Sequence, residues 1–136
     1  MAKKRLCLQC DDGTALKHGK KGMKFSYRDR ELIVPAIAGW HCPVCGECEF
    51  DAGEGKRYSQ AVDEFASVVD LEIAHEIRTI RKTLGLRQSD AGKLFGGGAS
   101  AFSEYESGKT QPHKSTVLLM KLLYSHPELL DEIRVV

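Results

Sequence analysis

The sequence predicts two domains, a small α+β module on an antiparallel sheet followed by an all-α module of five short helices. Three observations carry this expectation. Two Cys-x-x-Cys turns, Cys7–Cys10 and Cys42–Cys45, bracket a stretch with strand-like alternation. From Leu71 onward, apolar residues recur instead at helical spacing. Gly85, Gly96-Gly97-Gly98, Gly108, Pro112 and Pro127 cut that second stretch into short pieces. The border falls near Asp70, which gives domains at 1–69 and 70–136.

The cysteine pairs come first. A Cys-x-x-Cys turn brings two thiolates to one ion from the same side, and two such turns complete a tetrahedral shell. A closed shell of Cys7, Cys10, Cys42 and Cys45 is the arrangement of structural zinc and leaves no open position for a substrate. The 31 residues between Cys10 and Cys42 exceed the usual ribbon spacing. Cys42-Pro-Val-Cys-Gly46 also has the form of an iron-binding rubredoxin knuckle, so iron is the alternative metal. Cys48 forms a further Cys-x-x-Cys with Cys45 and could replace one ligand, but is read first as a spare thiol. His41, beside Cys42, is read as a strand or surface residue rather than a ligand.

Between the knuckles, Phe25 and Tyr27 alternate with polar neighbours, Asp29-Arg30 suggests a turn, and Leu32-Ile33-Val34 resumes a strand. Pro35 and Gly39 point to an edge or bulged strand. Met23 and Trp40 are assigned to the core. Such a sheet is too small to be held by burial alone, and a metal supplies the missing stabilisation. After a turn at residues 51–55, the spacing of Tyr58, Val62, Phe65 and Val69 predicts a connecting helix.

In the second domain, Ile73, Ile77, Ile80 and Leu84 form one apolar stripe that stops at Gly85. A second helix over 89–95 turns Ala91, Leu94 and Phe95 inward, and a third over 99–107 is anchored by Phe102 and Tyr105. A fourth follows Pro112 with Val117, Met120 and Leu123, and a fifth opens at Pro127. The triple glycine is a turn; no Gly-Lys-Ser/Thr follows it, so it is not a phosphate loop. Five short helices with a tight turn between the second and third resemble a helix-turn-helix domain of the Xre/Cro type. In that class the second helix crosses the DNA backbone and the third lies in the major groove. The resemblance selects Arg87, Gln88, Ser100, Ser103, Glu104 and Lys109 as candidate DNA contacts.

The order of the modules narrows the match. Cys7/Cys10, Cys42/Cys45, the run from Phe95 to Gly108, Gln111-Pro-His113 and His126-Pro-Glu-Leu-Leu130 together resemble the MqsA (YgiT-type) antitoxin family. The resemblance implies a homodimer joined through the C-terminal domain. It also implies an N-terminal domain that binds a ribonuclease toxin, and a C-terminal domain that represses its own operon on palindromic operator DNA. The chain departs from the family pattern at Ser100 and Glu104, where that pattern has an amide and an arginine. The operator sequence therefore does not carry over.

Composition fits this picture. The chain has 136 residues, of which 42% are hydrophobic and 29% charged. No run of about 18 apolar residues is present, so no membrane helix is expected. No apolar stretch of signal-peptide length follows the basic N-terminus, which points to the reducing bacterial cytoplasm, where paired cysteines bind metal. Residues 1–30 are basic and residues 31–70 acidic, runs read first as solvated surface, although their alternation also fits distinct binding faces. No nucleophile elbow, His-Glu-x-x-His or other catalytic pattern occurs, so an enzyme is not expected. Two alternatives stand beside the antitoxin reading: an orphan Xre-family regulator with a structural zinc domain, and a metal or redox sensor coupled to DNA binding.

Overall fold

The computed structural model describes residues 4–134; residues 1–3 and 135–136, at the outer ends of the two expected domains, lie outside them. The chain divides into two compact units, Met1–Ala66 and Ser67–Val136.

The first unit is built on a three-stranded antiparallel sheet of β1 (Lys17–Tyr27), β2 (Arg30–His41) and β3 (Cys48–Phe50), in that order across the sheet. Arg28 and Asp29 join the long strands, both in the left-handed region at φ 49° and 65°. Two left-handed residues make the tight turn whose twist matches that of paired strands. The turn therefore sits one residue earlier than expected, because Arg30 already pairs with Tyr27.

β2 is the central strand, and its proline is accommodated locally. β3 pairs only with Gly39, Trp40 and His41, so Pro35 lies beyond the reach of that ladder. On the other side the register slips, from Lys21 opposite Ile37 to Met23 opposite Val34. Gly22 thus faces both Pro35 and Ala36, a bulge with Ala36 at φ 52°. The carbonyls that the bulge turns aside accept hydrogen bonds from Arg57 Nη2, at 3.2 Å for Pro35 and 2.9 Å for Ala36. Arg57 is itself held by Glu54, Nη2 to Oε2 at 2.8 Å. One irregularity in β2 thereby seats the start of the following helix. Phe25 edge-on to Phe65, and Phe50 beside Tyr58, complete that contact.

That helix, α1, runs unbroken over Glu54–Thr83. The expected connecting helix and the first helix of the second domain are one element. No glycine or proline occurs between Lys56 and Leu84, so nothing in the sequence stops it at Asp70.

The second unit is helical. After the last part of α1 come α2 (Gln88–Phe95), α3 (Ala101–Ser107) and α4 (Lys114–Ser125), then a 3₁₀ turn at Pro127–Leu129 and α5 (Leu130–Arg134). Its interior holds Val69, Ile77, Phe102, Met120 and Leu123, each essentially fully buried. Ala91 is buried as expected, whereas Leu94, Phe95 and Tyr105 are only half-buried. α3 starts at Ala101 rather than Ala99, because Gly96, Gly97 and Gly98 all take positive φ (97°, 91° and 88°). Closeness, too, dictates glycine here. A Cβ on Gly92 of α2 would lie 1.8 Å from the Gly98 carbonyl oxygen.

Candidate metal centre and nucleic-acid interface

The two cysteine turns fold alike. Asp11 N–H donates to the Cys7 carbonyl at 3.1 Å, and Gly46 N–H donates to the Cys42 carbonyl at 3.2 Å. Asp11 and Gly46 both take positive φ, 50° and 80°. Each turn aims backbone N–H groups at its first sulfur. Cys10 N–H lies 3.4 Å from Cys7 Sγ, while Val44 and Cys45 N–H lie 3.4 and 3.5 Å from Cys42 Sγ. Such donors stabilise a thiolate over a thiol.

All four sulfur atoms lie within 4.8 Å of one another. Cys7 Sγ is 3.5 Å from Cys45 Sγ, and Cys10 Sγ is 3.8 Å from Cys42 Sγ. Four sulfurs about 2.3 Å from one central ion stand about 3.8 Å apart, so these residues fit a tetrahedral metal. Cys7 and Cys42 are buried with Leu16, and Cys10 and Trp40 pack against them.

The electrostatics divide the set. The Cys42 thiol is lowered to about 6, first by the Cys45 N–H and then by that of Val44. Cys10 is raised, first by its hydrogen bond with the Cys45 thiol and next by burial. A metal ion held by four sulfurs would take the place of their protons.

The neighbouring candidates fall outside the shell. His41 is buried on β2, with Nε2 2.8 Å from the Ile37 carbonyl, a contact that its N–H donates. Cys48 Sγ lies 3.8 Å from the same ring nitrogen. Its thiol is raised, chiefly by burial and then by the charges of Asp51, Glu47 and Glu49, which disfavours a thiolate. Trp40 is half-buried, with the Arg5 guanidinium 4.9 Å from its ring and the His18 ring at 5.1 Å.

In the second unit, α2, the glycine turn and α3 form the helix-turn-helix. Arg87 is the N-cap of α2, with its Nε 3.0 Å from Asp90 Oδ2 and its side chain largely in solvent. Gln88 opens α2 and is half-buried. Ser100, the exposed residue before α3, makes no side-chain cap. Ser103 is exposed, Glu104 is partly so, and Lys109 Nζ stands 3.8 Å from Glu104 Oε1. Gly108 ends α3 in the left-handed region, its N–H donating to the Glu104 and Tyr105 carbonyls.

Sequence reasoning missed what holds α3 in place. Arg81 donates from Nε and Nη2 to Glu106 at 2.9 and 2.8 Å, and from Nη1 to the Leu86 carbonyl at 2.9 Å. A signal was present. Arg81 stands eight residues after Ile73, on the apolar stripe, and a charge in that position calls for a buried partner.

Fold and site together define a two-unit helix-turn-helix protein whose first unit gathers four thiols at metal-binding distance. A family model described as the antitoxin component of bacterial toxin–antitoxin systems, MqsA, matches residues 5–134. The chain is also 39% identical over 130 residues to the antitoxin MqsA of Escherichia coli (strain K12), covering 94% of this chain and 98% of that protein. The chain belongs to the MqsA antitoxin family.

Proposed function

We propose that this antitoxin is a bifunctional, non-enzymatic regulator. Its first unit, held by zinc on Cys7, Cys10, Cys42 and Cys45, binds and neutralises a ribonuclease toxin. Its second unit pairs with a second copy, binds palindromic operator DNA and represses its own operon. The observation that carries this reading is the extent of the family match, which runs from residue 5 to 134 and so takes in both units.

Zinc is the metal of choice because a closed shell of four thiolates suits an ion with a structural role. A protein partner for the first unit is supported by Leu8 and Val44, which stand exposed at the tips of the two cysteine turns, and by exposed Ile33 on β2. Self-association of the second unit is supported by Leu118 and Leu122, half-exposed one turn apart on α4. Arg87 and Lys109 flank the helix-turn-helix as phosphate contacts, while Gln88, Ser100, Ser103 and Glu104 are the polar groups offered to the DNA.

The test is co-expression with the toxin-sized reading frame beside its gene, together with a reporter driven by the upstream region. Restored growth and a silenced reporter are expected. Continued growth arrest, or a reporter indifferent to the protein, would refute the corresponding half.

A further inference from the structure

The outward face of α3 carries one acidic side chain, that of Glu104. Ala101 and Phe102 are buried, and Tyr105 sets its ring edge-on to Phe102 at 5.4 Å. Glu106 is bound to buried Arg81. Ser107 Oγ donates back to the Glu104 carbonyl at 3.1 Å. Ser103 and Glu104 remain, and no lysine or arginine occurs between residues 101 and 107. Glu104 has Lys109 near it, but at 3.8 Å that pair is longer than the ~2.7–2.9 Å of a charge-assisted hydrogen bond. The carboxylate is partly exposed and open to a better donor.

We infer that Glu104 is a specificity-determining residue that accepts a hydrogen bond from the amine of one cytosine in each operator half-site, an inference that rests on the DNA-binding role proposed above. A carboxylate can only accept. In the major groove guanine and thymine offer it acceptors, and adenine offers its amine beside the N7 acceptor. Cytosine alone presents an amine with no acceptor next to it on the same base. The same carboxylate repels phosphates, and Lys109 at the exit of α3 offsets that repulsion. α3 thus contributes selectivity, while the flanking cations contribute attraction.

The experiment uses the full-length chain. Selection from random duplexes with the wild type yields the half-site. Each cytosine of the consensus is then replaced in turn by the analogue that lacks the N4 amine. At one symmetric pair of positions the loss of the amine is expected to weaken wild-type binding roughly five- to a hundred-fold. For Glu104→Ala, whose folding is checked by circular dichroism, the same replacement should cost less than twofold. Glu104→Gln should move the preferred pair at that position to A·T, since an amide pairs with the N6 and N7 of adenine. Equal losses for wild type and Glu104→Ala, or an unchanged consensus for Glu104→Gln, overturn the inference while leaving DNA binding intact. A wild type that enriches no sequence overturns both.

Discussion

Arg81 near the end of α1 and Glu106 near the end of α3 form a buried two-pronged ion pair, with side chains only 10% and 5% exposed. The third arm of the guanidinium holds the Leu86 carbonyl, so three segments of the helix-turn-helix unit converge on one side chain. Desolvating two charges is costly, and only complete pairing offsets it. Removing one partner therefore exposes the full penalty. Arg81→Met or Glu106→Leu alone should destabilise the second unit by about 3–5 kcal/mol, whereas the double variant should lie within about 1–2 kcal/mol of wild type. Chemical denaturation followed by helical circular dichroism measures both. Additive losses in the double variant would show that the pair is not an energetic unit.

Gly92 makes the second prediction. Its α-carbon is so close to the Gly98 carbonyl that a methyl group would have to displace backbone, not a flexible side chain. Gly92→Ala should cost about 3 kcal/mol or more despite the higher helix propensity of alanine. An exposed helical position would instead gain stability. Thermal unfolding decides the sign, and a stabilised variant would mean that the α2–α3 turn leaves room for a methyl group.

The third prediction concerns the metal. The buried cluster around the knuckles contains Cys7, Leu16 and Cys42, too little apolar surface to hold the turns by itself. Cys42→Ser, or a strong chelator, should therefore unfold the first unit and leave the helical signal of the second in place. Amide spectra resolve the two units separately. An intact sheet in metal-free protein would remove the structural role of the site.

Much of this molecule was legible in its residues. The cysteine spacing announced the thiol cluster, and helical periodicity with glycine and proline breaks announced α2 to α5. What stayed hidden was set by contacts distant in sequence. Lys17–Lys24 has little apolar alternation, yet it becomes most of β1 because β2 supplies a partner. Three-residue β3 is too short to show a period. The border expected near Asp70, where the helical spacing from Leu71 begins, falls within α1, and the units divide at Ala66 and Ser67, because a helix that lacks glycine and proline there runs on through a change of apolar spacing. For the site, the thiols could be named from sequence. The Arg81–Glu106 pair needed the fold, since its members are 25 residues apart.

A full-length Arg87→Ala/Lys109→Ala variant separates the two activities proposed for this chain. Both side chains are exposed ends of the helix-turn-helix and neither belongs to the first unit. Operator affinity should fall by a similar factor for all sequences, and the salt dependence should flatten by about four phosphate contacts, two from each protomer of the dimer. The same variant should protect growth against the toxin as well as wild type does. Measured side by side, a derepressed promoter with full toxin protection is the predicted result. Unchanged operator binding, or protection lost along with it, would contradict the account.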